Sequence, residues 1–294
     1  MNNPRHIPVL AKEVIELLAP GSGEIFVDAT IGLGGHAKQI LPKLGKTGRL
    51  IGIDQDEQAL QSASHNLRTY AQQLVLVCGN FAAIGALVQS AGHARVSGIL
   101  FDLGVSSLQL DDPDRGFSFN KSDKLDMRMS ANTALTAEEV VNSYSRDELA
   151  RIFYEYGQET RARAIAKRIT EARKSGRITT VAQLIELIGG GHGRIHPATK
   201  VFQALRIEVN QELEALEEAL PKAFELLESG GRLAVISFHS LEDRIVKNFF
   251  RNLKTGGSGL LLTKKAVTPS WEERRSNPRA RSAKLRAIEK ILVP

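Results

Sequence analysis

Apolar residues gather into five short runs, at 25–29, 50–53, 74–77, 98–101 and 232–237. Runs of this length, bounded by polar or glycine positions, read as buried strands. Between the early ones the apolar spacing changes to a helical period, over 37–44, 57–70 and 81–91. Strands alternating with helices in units of roughly 25 residues predict a parallel sheet covered on both faces. Right-handed crossovers then make the sheet doubly wound.

The alternation stops after Phe101. From about 111 to 197 no convincing strand appears, and helical periods cover 138–144, 146–156, 161–174 and 181–187, ending at the glycines 189–191. A long amphipathic helix over 207–227 is predicted to lead back to the fifth strand. The organisation expected is a discontinuous core, 1–110 with 206–294, interrupted by an all-helical insert at 111–205. Two last runs, 260–263 and 283–291, suit an antiparallel edge pair.

Composition changes the picture little. The 294 residues, 42% hydrophobic and 24% charged, are those of a globular protein and exclude a disordered or collagenous chain. The longest uncharged stretch, 74–92, has the length of a membrane span, but Gly79-Asn80 divides it into a strand and a small-residue helix. No membrane association is expected. A single cysteine, Cys78, leaves no internal disulfide, and no export leader opens the chain, so a cytoplasmic protein is expected.

Charge matters through its distribution. Net charge is +6, and 264–290 alone holds nine Lys/Arg against three Glu. A second basic stretch, 161–177, has seven Lys/Arg against Glu171. Two basic surfaces on an otherwise neutral chain suit a polyanion, most economically nucleic acid. A solvated helix face and a soluble tail account for the same charges.

In an open parallel sheet, ligands bind beyond the carboxyl ends of the strands. The first strand runs into DATIGLGGH at 28–36, whose glycines allow a tight turn and a close ligand approach. The spacing is not the dinucleotide G-x-G-x-x-G, and the acid at its start would repel a pyrophosphate. Asp54 ends the second strand, where a carboxylate can accept both hydrogen bonds of a ribose diol; Asp56 reads as a helix cap. Phe81, after the third, is either an adenine-stacking ring or core. Asp102 ends the fourth and opens a hydroxyl-rich loop. Glycines, acid, aromatic and acid in this order resemble class I S-adenosylmethionine-dependent methyltransferases, α/β proteins with a Rossmann-like sheet.

Longer strings narrow the resemblance. DLGVSSLQ at 102–109, RGFSF at 115–119, LDMRM at 125–129, HPATKVFQALR at 196–206, VN at 209–210, SFHSLEDR at 237–244 and NPRARS at 277–282 are similar to the MraW/RsmH-type ribosomal RNA cytosine-N4 methyltransferases. The similarity covers almost the whole chain. Leu108, where the family usually has proline, and Ser122-Asp123-Lys124, where it commonly has glycine-proline, depart from it. The resemblance implies methyl transfer from S-adenosylmethionine, without a metal, to the exocyclic amine of one cytidine in the decoding region of 16S rRNA, within the small ribosomal subunit. It assigns the cofactor to Gly34, Gly35, His36, Asp54, Phe81, Asp102 and Gln109.

An amine that gains a methyl group becomes positive, and a carboxylate accepting its N–H bonds stabilises that charge. Asp102 is the candidate for that catalytic role, with cofactor contact as its alternative. Phe117, Phe119 and Phe238 are stacking candidates that also suit a core. Ser240 with Asp243 reads as a capping box before a helix at 241–253, and His239, at the end of the fifth strand, either faces the base or, the favoured reading, makes a structural hydrogen bond. His192 and His196 lack partners at metal spacing, so no zinc is expected.

Overall fold

A computed structural model of the chain describes residues 8–119, 123–190 and 197–292. Seven strands, β1 (Ile25–Asp28), β2 (Arg49–Asp54), β3 (Leu74–Cys78), β4 (Val96–Asp102), β5 (Leu227–Ser237), β6 (Gly259–Leu261) and β7 (Lys284–Lys290), form one sheet in the order β3-β2-β1-β4-β5-β7-β6. The first five are mutually parallel, and β7 runs antiparallel between β5 and β6. All five apolar runs are strands, and the C-terminal pair forms at the sheet's edge. The uncharged stretch divides into β3 and a short helix, Ile84–Ser90. Among the described residues no helix is long and apolar enough to cross a membrane.

Alternation along each strand sends successive side chains to opposite faces. Val27, Ile51, Ile53, Ile99, Phe101 and Val235 share one core with Ile84–Ser90, Glu212–Leu226 and Ser240–Thr255. Phe26, Leu50, Leu100, Ala234, Ile236 and Leu285 share the other with Ala11–Leu18, Ala37–Ile40 and Glu57–Asn66. A sheet buried on both faces explains why its strands read as continuous apolar runs. This is the class I, Rossmann-like architecture.

The chain separates into two compact units, Met1–Gly104 with Leu213–Pro294, and Val105–Glu212. The second is built of helices around its own core, including Leu125, Val140, Leu149, Phe153, Ile165, Ile169, Leu184 and Leu205. It takes in residues on either side of 111–205. Val105 and Leu110 pack against that core, Val209 is part of it, and Asn210 Oδ1 accepts from the Met129 N–H at 2.7 Å.

The single helix expected over 207–227 is two helices, Pro197–Asn210 and Glu212–Leu226. Gln211 between them adopts φ +50°, which breaks the helical path although the apolar spacing continues through it. Asn210 meanwhile donates to Met127 O at 2.8 Å, tying the end of the first helix to its own unit.

The capping box before Ser240–Thr255 is also displaced by one residue. His239, extended at φ −136° and ψ 168°, is the cap, with Glu242 as its reciprocal partner. Glu242 N–H donates to His239 Nδ1 at 3.4 Å, and Glu242 Oε2 accepts from the Phe238 and His239 N–H groups. His239 thus has the structural role expected of it. Asp243 instead accepts from Arg286 at 2.7 Å and Lys284 at 3.2 Å. Burial works against its ionised form, but these two cations outweigh burial and hold its carboxyl below the usual range.

Candidate active site

The turn 29–36 is laid across the carboxyl ends of three strands. Ala29 N–H donates to Leu100 O at 2.8 Å, and Ile31 N–H to Ile53 O at 2.9 Å. Gly52 lets the turn lie down, because a Cβ there would overlap the Ile31 side chain. Gly34 has φ +82°, and a Cβ on it would stand 2.8 Å from Leu67 Cδ1. Both the sign of φ and the contact demand glycine.

Side chains at the strand ends knit this turn. Asp54 accepts Gly32 N–H through Oδ2 at 2.9 Å and Asp56 N–H through Oδ1 at 3.0 Å. Gln55 N–H is a third donor to it, and since a carboxylate has about four acceptor positions, these bonds leave room for about one more donor from a ligand. Asp56, as expected, caps the helix Glu57–Asn66 through Gln58 N–H. Thr30 Oγ1 accepts Asp102 N–H at 2.6 Å, fixing the start of the loop after β4. His36 Nε2 stands 3.4 Å from Asp102 Oδ2. Neither ring nitrogen of His36, nor Asp102 Oδ1, makes a hydrogen bond among the described residues, although all three atoms are buried. Buried polar atoms without partners are rare, and at a strand-end cleft they point to a ligand.

One member of this cluster reads in the sequence only as an acid that would repel a pyrophosphate, and is not assigned to the site there. Asp28 is 1% exposed beneath the turn, accepting only Thr30 N–H at 3.3 Å among the hydrogen bonds resolved. Burial pushes its carboxyl up to about 7, against the pull of His36, and Asp102 and Asp54 push the same way. A charged residue ending an otherwise apolar strand is the signal that could have assigned it to the site. Asp54 is pushed up to about 6, chiefly by burial, while its N–H donors pull back. His36 is the mirror case. Burial disfavours the imidazolium, yet the facing carboxylate of Asp102, with the charge of Asp28, raises its proton affinity above the ordinary value. Asp102 and Asp28 both act on His36, and Asp102 keeps a buried oxygen without a hydrogen bond among the described residues.

The remaining candidates divide. Gly35 lies in the same turn, partly buried. Phe81 opens a short turn of helix after β3 and packs edge-on to Phe101, with centroids 5.6 Å apart. It is therefore part of the sheet's core wall with an edge still partly exposed. Gln109 belongs to the helical unit, where it is 5% exposed and closes a capping box with Ser106. Phe117 lies in the helical core, Phe119 is 47% exposed and edge-on to Phe202, and Phe238 packs against the sheet. His192 and His196 lie outside the described residues. Among the described residues no group of three His, Cys, Asp or Glu is placed to hold a metal ion.

From residue 3 to residue 291 the sequence matches the MraW methylase family. The chain belongs to that family. Its relatives include the Ribosomal RNA small subunit methyltransferase H of Syntrophotalea carbinolica, 49% identical over 98% of each chain. The proteins of the same name from Fusobacterium nucleatum and Persephonella marina are 46% and 49% identical, covering 99% and 97% of this chain and 98% and 99% of theirs. At the level of fold, a Streptococcus mutans protein described as a methyltransferase, solved in complex with SAH, superposes with a TM-score of 0.50. It is 15% identical, covering 97% of this chain and all of that one. In this MraW family member, then, the acids and the glycine turn occupy the sheet edge at which doubly wound folds bind ligands.

Proposed function

We propose that the protein transfers a methyl group from S-adenosylmethionine to the exocyclic N4 amine of a cytidine in the decoding region of 16S rRNA, within the small ribosomal subunit and in the cytoplasm. The observation that carries the reading is the strand-end cluster itself. Asp54, with room for about one more donor, suits a ribose hydroxyl, and Asp102, whose buried Oδ1 has no hydrogen bond among the described residues, suits a positively charged ligand. The shared name of the full-length relatives supports an rRNA acceptor. The cytidine amine and the decoding region come from the resemblance to the MraW/RsmH-type enzymes, which strings such as 102–109 and 237–244 carry.

Gly34, Gly35, His36, Asp54, Phe81 and Asp102 would hold the cofactor, and Gln109 stays with them through the resemblance. The bound cofactor supplies an already activated methyl group on a positively charged sulfur, so no metal is required. The turn's backbone and Asp54 fix one end of the ligand. Asp102, its backbone fixed by Thr30 and its carboxylate beside His36, accepts hydrogen bonds either from the cofactor or from the amine as it becomes positive. Holding nitrogen, carbon and sulfur in line can be worth about 7–11 kcal/mol for well-oriented partners. The helical unit, Val105–Glu212, is the proposed substrate-recognition element.

The test is methyl transfer from labelled S-adenosylmethionine to small ribosomal subunits, naked 16S rRNA and duplex DNA, with the product nucleoside identified by mass. Recovery of N4-methylated cytidine from the subunit or its RNA is expected; label on DNA alone would discard the acceptor. Asp102→Asn separates the two roles of that residue. A catalytic Asp102 lowers the single-turnover rate at saturating cofactor, whereas a rise in cofactor Kd at an unchanged rate assigns it to binding only.

A further inference from the structure

The C-terminal segment carries the chain's only tryptophan, and it faces solvent. Trp271 is 67% exposed at the start of the short helix Trp271–Ser276. The Arg275 guanidinium sits over its ring, 5.4 Å from the centroid. Arg274 in the same helix and Arg281 in the turn after it are exposed, and Lys264 and Lys265 are exposed on the segment that follows β6 and leads in. None of Lys264, Lys265, Arg274 or Arg281 forms an ion pair among the described residues. Arg275 accounts for one face of the ring, and what sets the position apart is that the indole stands in water among cations without ion pairs among the described residues.

The patch lies on the rim of the strand-end site. The helix packs against Pro278–Ser282, which runs straight into β7, and Lys284 at the start of β7 pairs with Ser237 at the carboxyl end of β5. Glu273, between Trp271 and Arg275, accepts Leu10 N–H at 2.8 Å and is near enough to His36 to act on its charge. Cations that follow a phosphate backbone, beside an exposed ring that accepts a base, are the two elements of single-strand recognition.

We infer that Trp271 is a stacking platform for an unpaired base of the RNA substrate, with Arg274, Arg275 and Arg281 receiving the flanking phosphates. This rests on the reading of the protein as an RNA methyltransferase and adds to it a docking surface outside the methyl-transfer site. The occupant is single-stranded RNA, since a duplex buries its base faces and offers nothing for the indole to cover.

The single tryptophan makes its own reporter. The full-length protein is titrated with a single-stranded oligoribonucleotide of about twelve nucleotides, a length in the range such surfaces occupy. Heparin serves as a polyanion without bases. Intrinsic fluorescence is expected to be quenched by the oligonucleotide and unchanged by heparin. In anisotropy titrations with labelled oligonucleotide, Trp271→Ala is expected to weaken binding between about 5-fold and 150-fold, the range for loss of one stacked base, and Trp271→Phe to retain most of it. Several outcomes overturn the inference: binding with unaltered fluorescence, equal quenching by heparin, quenching that follows self-association, no binding, or a Trp271→Ala variant that binds as the parent does. Methyl transfer to small subunits, run in parallel, keeps the two readings apart. Activity with an unquenched indole discards the platform and keeps the enzyme, and quenching without any transfer does the reverse.

Discussion

A carboxylic acid at the end of a buried strand is useful to a ligand only in the right protonation state, and burial has moved two of them toward neutrality. Asp54 is held at about 6, mainly by the loss of water around it. Its raised value means that the folded chain binds more protons than the unfolded chain between about pH 4 and pH 6. The stability of the ligand-free protein therefore falls as pH rises through that window. Cofactor binding runs the other way, because a ribose hydroxyl donates its hydrogen bond to the ionised carboxylate. At pH 5 about one tenth of Asp54 is ionised, so affinity for S-adenosylmethionine is expected to be up to about tenfold weaker than at pH 7. Calorimetric titration across pH 5–8 checks this. Asp54→Asn should bind weakly throughout and remove most of the pH dependence, with any remainder assigned to Asp28 and His36, which also titrate in the cluster.

Elements were legible where one physical requirement dominated. Strands buried on both faces had to be apolar runs, and the acids at 28, 54 and 102 could end them only if that edge carried the chemistry. What escaped the sequence were local decisions. Nothing in the period of 207–227 marks Gln211 as the residue that turns left-handed, because the apolar spacing is kept on both sides of it. The cap at His239 escaped because Ser240 and Asp243 have better intrinsic propensity. Two cations from β7 bind Asp243, a tertiary contact beyond any local window. The glycine turn was legible as flexible but not as to which glycine bears the strain. The structure puts it at Gly34, with φ +82° and Leu67 2.8 Å from a Cβ. Gly34→Ala is expected to destabilise the protein by about 1–3 kcal/mol, from the left-handed backbone and the overpacking together. Because the same turn carries His36, loss of cofactor affinity should exceed what unfolding explains. Urea denaturation and cofactor binding, each measured at a temperature where the variant is folded, separate the two effects.

At the scale of the whole molecule the two basic stretches have different fates, which their composition alone does not reveal. In the helical unit most of the cations are spent on the fold. Arg161 donates to Gly190 O, Arg168 to Ile188 O and Arg173 to Val141 O, while Arg177 pairs with Glu138. These side chains close helix ends and carbonyls that would otherwise lack donors. Arg163 and Lys174 remain exposed, with no ion pair among the described residues. The C-terminal stretch is divided: Lys284 and Arg286 pair with Asp243 and Lys290 donates to backbone carbonyls, whereas Lys264, Lys265, Arg274 and Arg281 are exposed, with no ion pair among the described residues. If both surfaces engaged phosphates by charge count, they would contribute similarly to salt dependence. The structure predicts otherwise. On single-stranded RNA each neutralised phosphate contributes about 0.7 to the slope of log affinity against log salt. Lys264→Ala with Lys265→Ala should therefore flatten that slope by about 0.7 for each phosphate no longer neutralised, without a change in melting temperature. Arg168→Ala and Arg173→Ala should leave the slope close to the parent value and lower the melting temperature, because each removes the donor from a carbonyl in the helical unit. A common flattening in both pairs would mean that the helical unit's arginines leave their carbonyls to meet RNA, and that the fold gives up those bonds on binding.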